Sequence, residues 1–117
     1  METAPGARDA NDVLAPFCPA YSHAMEIIGR RWTGAIIRSM LAGASRYSEI
    51  VAAVPGLSDR LLSERLKELE HEGIVERTVT PSTPVRVDYS LTEKGRALAS
   101  VVREVANWAE RWGDSPA

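Results

Sequence analysis

The apolar positions of this chain change their spacing several times, and each change marks an element. Leu62, Leu66 and Leu69 fall at i, i+4 and i+7 with Leu61 alongside, which is one buried stripe on an α-helix. Ser58 opens that helix as an N-cap whose hydroxyl can accept an orphan backbone N–H, and Asp59 in the first turn suits the positive end of the helix dipole. Gly73 closes it as a C′ residue in the left-handed conformation, and Ile74 turns back to the core. From Val75 to Thr80 and from Val85 to Leu91 the period drops to two. There Val85, Val87 and Tyr89 alternate with Arg86, Asp88 and Ser90, so one face packs and the other is polar. Pro81, Ser82, Thr83 and Pro84 lie between the two runs as a loop tip, because proline donates no ladder hydrogen bond.

Upstream, Trp32 to Leu41 has the spacing of a core helix ended by Gly43, with Trp32 as an apolar anchor. A short helix over Tyr47 to Val54 stops at Pro55-Gly56, a strong turn signal, so Pro55-Gly56-Leu57 joins two helices. Downstream, Thr92 caps a final helix from Glu93 to about Trp112, and Gly95 in its first turn is tolerated at modest cost. Leu98, Val101, Val102, Val105, Trp108 and Trp112 give that helix more apolar surface than one small domain can cover. Ala24, Ile27 and Ile28 offer a matching stripe on a first helix. The predicted fold class is α+β, mainly α: a winged helix-turn-helix domain with N- and C-terminal dimerisation helices.

Helix, turn, helix and a two-stranded wing form a device for reading DNA, because an α-helix fits the major groove and a wing reaches the flanking backbone. At about 100° per residue, Arg60, Ser63, Glu64, Lys67 and His71 fall opposite the leucine stripe. Arg60, Ser63 and Lys67 are expected to face base edges, with Glu64 acidic among them. Ser58 at the helix start is also expected at the DNA, and Arg65, at the edge of the stripe, is placed nearer the backbone with Arg46. Arg77 and Arg86 flank the wing tip and are expected to contact phosphates. A solvated polar face with an Arg60–Glu64 pair, contributing about 0.2–0.5 kcal/mol, is the plainer reading of the same helix. Pairing of first and last helices across a two-fold axis would set two recognition helices about 34 Å apart on an inverted-repeat operator.

With these residues in place the chain strongly resembles the HxlR-type winged helix-turn-helix transcriptional regulators, of the MarR-like superfamily. The resemblance rests on Cys18-Pro19, Ile28-Gly29-Arg30-Arg31-Trp32-Thr33 and the run from Gly43 to Ile50. It continues through Val54 to Ser58, Leu62 to Leu69, Val87 to Thr92, and Trp108, covering roughly residues 18 to 112 in order. Arg31, Tyr47 and Asp88 depart from it mildly, standing where Lys, Phe and Glu are more usual. The resemblance implies a homodimer built from the first and last helices, double-stranded operator DNA as partner, and control of a neighbouring gene. It also matches Cys18 to the cysteine that some similar regulators use as a redox sensor.

Composition adds bounds. A chain of 117 residues holds one domain with a modest core, expected over 16–117, while residues 1 to 15 lack periodicity and are expected to be a disordered tail. No apolar run is long enough for a membrane span and no hydrophobic leader core is present, so a cytoplasmic protein without membrane contact is expected. The net charge of −2 argues against DNA binding until its distribution is considered. Residues 30–96 hold 11 Lys and Arg against 9 Asp and Glu, and the flanks 3 against 7, so the basic surplus coincides with the reading unit. Two histidines and one cysteine are too few for a Cys/His zinc site, and no phosphate loop or nucleophile elbow is present. Catalysis, a metal and a cofactor are therefore not expected. Cys18, at the start of the first helix, is a setting in which a thiol can react with oxidants or electrophiles; otherwise it is an inert small hydrophobe. A pocket lined by Tyr21, Trp108 and Trp112 is the other expected route for a small-molecule signal. The function from a different class is a winged-helix module for protein–protein contact without specific DNA binding.

Overall fold

The computed structural model describes residues 15–113; the expected tail lies almost wholly outside the described residues. Eight elements follow one another: α1 (Pro19–Ile28), α2 (Thr33–Leu41), α3 (Tyr47–Ala53), α4 (Asp59–His71), β1 (Val75–Thr80), β2 (Arg86–Leu91), α5 (Glu93–Arg96) and α6 (Ala99–Trp112). The two strands pair antiparallel in a register running from Val75 opposite Leu91 to Thr80 opposite Arg86. The core is one cluster. Ile36, Ile37 and Met40 of α2 meet Ile50 of α3, Val54 and Leu57 of the turn, and Leu62, Leu66 and Leu69 of α4, with Ile74, Val75 and Leu91 closing it at the hairpin base.

The ends of α4 explain why the recognition helix has a fixed length and exit. Ser58 Oγ accepts from Leu61 N at 3.1 Å, which satisfies one orphan donor. At the other end Gly73 takes φ +76°. Ile74 N donates to Leu69 O at 2.9 Å and Gly73 N to Glu70 O at 3.1 Å, the paired bonds of a Schellman cap. Ile74 is thereby returned to the core, and the chain enters β1.

Four expectations need correction. The final helix is two helices: Leu98 N bonds to Gly95 O, three residues back, so the ladder tightens at Ala97–Leu98. The cause lies in α5, which is held on the hairpin base while α6 packs on α2. Thr92 N donates to Ile74 O at 3.0 Å, and a Cβ on Gly95 would stand 2.2 Å from that same oxygen, so only glycine fits there. Trp32 is not helical: it stands before α2 with φ +80° and its half-buried ring against the core. The distal hairpin does not pack as alternation suggested, since Val79 and Val85 are 46% and 60% exposed and β2 begins only at Arg86. On α1, Ile27 packs against the protomer's own core and is drawn out of the expected stripe, while Ala24 stays exposed; the exposed large apolar side chains are Phe17 before the helix and Tyr21 and Met25 on it.

Candidate nucleic-acid interface

The polar face of α4 stands free. Arg60 has 87% of its side chain in solvent and lies 3.4 Å from Glu64, its i+4 neighbour. Glu64 and Lys67 are exposed beside it, and Ser63 is half-buried. An exposed pair of this kind costs little to break, so Arg60 can exchange Glu64 for a base edge or phosphate. Ser58 is spent on its cap.

Arg65 does not belong to this face. It is 7% exposed. Its Nε donates to Arg31 O at 3.0 Å and its Nη1 to Glu68 Oε2 at 3.3 Å. Arg30 lies 3.4 Å from the same Glu68, so two arginines tie the recognition helix to the α1–α2 elbow. A buried guanidinium with these partners is a brace rather than a DNA contact. The signal was in the spacing: Arg65 lies three residues from Leu62 and four from Leu69, inside the buried stripe.

Tyr47, noted in the sequence only as a departure from the family pattern, ties α3 to the start of α4. Its hydroxyl donates to the main-chain carbonyl of Asp59 at the start of α4. Burial, with the Asp59 carboxylate and Tyr89 adding, pushes the phenol above its ordinary 10.0, so it stays a protonated donor. The sequence signal is a tyrosine where phenylalanine is more usual in the resemblance.

The wing meets α3 across a cleft of about 860 Å³ lined by Arg46, Tyr47 and Ser48 on one side and Ser82 to Val87 on the other. Tyr89 N donates to Ser45 O at 2.7 Å, stitching β2 to the loop before α3. Glu49 accepts from Ser45 N at 2.9 Å and Arg46 N at 3.0 Å, which holds its carboxyl below the usual 4.5 and fixes the backbone of both residues. Asp88 then draws two arginines together: Arg86 Nε donates to Oδ2 at 2.9 Å, and Arg46 Nε lies 3.8 Å from Oδ1. Arg77 stands apart. The register puts it opposite Tyr89, on the other face of the hairpin from Arg86 and Asp88.

Cys18 caps α1, half-buried, with its carbonyl accepting from Ser22 N at 2.9 Å. The groove between α1, α2 and α6 has a volume of about 520 Å³ and an apolar lining that includes Met25, Ile28, Val101 and Val105. Tyr21, Trp108 and Trp112 are not among its walls; each is about two-thirds exposed, so the expected aromatic pocket is not formed within one protomer. Among the described residues no group of three or more His, Cys, Asp or Glu could hold a metal ion, and no helix is long and apolar enough to cross a membrane.

A short helix, a turn, a second helix with a free polar face and an arginine-edged hairpin define a winged helix-turn-helix domain. The chain belongs to the HxlR-like helix-turn-helix family, whose model matches residues 27–116. It is 54% identical over 97 residues to the HTH-type transcriptional regulator YvaP of Bacillus subtilis, spanning 83% of this chain and 90% of YvaP. It is 47% identical over 95 residues to the HTH-type transcriptional regulator YodB of the same organism, spanning 81% of this chain and 85% of YodB. The reduced form of YodB superposes with a TM-score of 0.74 at 44% identity, covering 86% of this chain and 99% of that one. YodB has also been crystallised after diamide treatment and with quinone bound. The redox regulator HypR in its oxidized form gives a TM-score of 0.76 at 37% identity over 84% of this chain and all of that one. The chain is thus a DNA-binding transcriptional regulator and not an enzyme.

Proposed function

We propose that this chain is a cytoplasmic homodimer that binds an inverted-repeat operator and releases or tightens on it when Cys18 reacts with an oxidant or electrophile. The observation that carries the DNA reading is exposed Arg60 and Lys67, with half-buried Ser63 between them, on a helix whose opposite side buries Leu62, Leu66 and Leu69. A gel shift on DNA from upstream of its own gene tests it. Wild type should bind, and Arg60→Ala should lose roughly 1–3 kcal/mol of affinity and relax preference at one base pair. Unchanged affinity in both Arg60→Ala and Lys67→Ala would turn the helix away from DNA and favour a protein-docking module.

The dimer reading rests on exposed Phe17, Tyr21 and Met25 on and beside α1, and on Val105, Trp108 and Trp112 of α6, which are also exposed. Cys18 is the single cysteine of the chain, so no disulfide can form within one protomer. Oxidation would join two Cys18 sulfurs across the dimer or one Cys18 to a small thiol, and a quinone would add to the sulfur directly. YodB in diamide-treated and quinone-bound forms supports this input for a chain so similar to it. Operator affinity of wild type and Cys18→Ser with and without diamide or a quinone decides it: equal response in the two proteins removes Cys18 from the signal.

A further inference from the structure

We propose that Asp88 is a positioning residue that holds Arg46 and Arg86 as a pair of guanidiniums for one phosphate of the DNA backbone. The inference rests on the DNA-binding reading and adds a site to it. The carboxylate sits on a frame that does not depend on the arginines. Its neighbour Tyr89 is bonded to Ser45, and the backbone of Ser45 and Arg46 is held by Glu49. Onto that fixed carboxylate converge one arginine from the start of α3 and one from the wing, both through Nε. The Nη groups of both are left to donate, and Arg46 and Arg86 both line the cleft between α3 and wing. The three groups together carry a charge of +1, so an anion gains by docking there. A long side chain loses rotamer freedom when a phosphate captures it, and the clasp removes that freedom beforehand. As a staple for the fold alone the arrangement would do little, because exposed ion pairs add little to stability.

The claim is about coupling, and a double-mutant cycle reads coupling directly. Binding to a short random-sequence duplex at low salt is the readout, since phosphate contacts are independent of sequence. Neutralising Asp88 also removes a negative charge near DNA and tightens binding in general; the cycle cancels that effect. Arg86→Ala should weaken binding about tenfold in wild type but less than about threefold in an Asp88→Asn background. In an Asp88→Glu background, which keeps the charge and reaches farther, Arg86→Ala should again weaken binding by most of its wild-type factor. Equal fold losses in the wild-type and Asp88→Asn backgrounds, with both variants melting like wild type, would overturn the clasp. A wild type that binds no duplex at all would instead overturn the DNA-binding reading beneath it.

Discussion

Two helices of this protein, α4 and α6, carry apolar stripes of similar length and meet opposite fates. In α4 the stripe is finished within the protomer: Leu62, Leu66 and Leu69 are 0–2% exposed and even the adjacent Arg65 is drawn under cover. In α6 no residue is buried, although Val101, Val105, Trp108 and Trp112 recur along one side. The α4 stripe does structural work so that its polar face can be spent on a ligand. The α6 stripe is itself the face that awaits something, and exposed apolar patches on this scale mark interaction sites. In the homodimer proposed above a second copy of the chain would cover it, with exposed Phe17, Tyr21 and Met25 on and beside α1 supplying the same character in the same protomer.

Truncation separates the two most sharply. Leu66→Ala should cost about 2–5 kcal/mol of unfolding free energy, as buried leucines do, at any protein concentration. Trp108→Ala should leave a monomer's stability within about 0.5 kcal/mol but convert a dimer to monomer in light scattering. Equal losses in both variants, independent of concentration, would mean that α6 is covered within its own protomer.

The two arginines of α4 divide in the same way at a smaller scale. Arg65→Ala leaves the Arg31 carbonyl without its donor and Glu68 with Arg30 alone, and should cost about 1–3 kcal/mol of stability. Arg60→Ala should leave melting unchanged and lower DNA affinity instead. On the wing, Arg86→Ala should lower the salt slope of binding by roughly one unit, while Arg77→Ala, on the other face of the hairpin, should lower it less. A slope untouched by Arg86→Ala would put the wing off the DNA.

Much of this was legible because helix period, caps and turn residues are local. Ser58, Gly73 and Pro55-Gly56 are sufficient to delimit α4, and the leucine stripe gives its buried side. What was misplaced depends on partners distant in sequence. Arg65 sits at the edge of the stripe, and its burial follows only once the Arg31 carbonyl is brought to it from the α1–α2 elbow. Gly95 reads as a tolerated helix residue until the Ile74 carbonyl arrives against it and α5 stops. The inward turn of Ile27 could not follow from α1 alone, since the core it packs against is built by the other helices and the hairpin base. Arg46 and Arg86 were each placed near phosphate, but Asp88 as their common anchor needed the Tyr89–Ser45 bond that links wing to helix.

The smallest expected effect lies at the start of α3, where the contact is finished within the protomer yet open to water. Glu49 accepts hydrogen bonds from Ser45 N and Arg46 N, and these hold its carboxyl below the ordinary 4.5 against a smaller opposing desolvation. A group whose pKa is depressed by folding stabilises the fold above its unfolded pKa and loses that contribution as pH falls through the folded one. Glu49→Gln should therefore melt slightly below wild type at neutral pH, by an amount near the resolution of calorimetry. The gap should close as pH is taken below about 4.5, because the wild-type carboxyl then becomes neutral as well. Every other acidic group titrates in both proteins, so only the difference between the two melting curves carries the signal. A gap that persists unchanged into acid would show that Glu49 acts through its shape and not its charge. In that event Ser45 and Arg46, which stand under the wing clasp, would be held by packing alone.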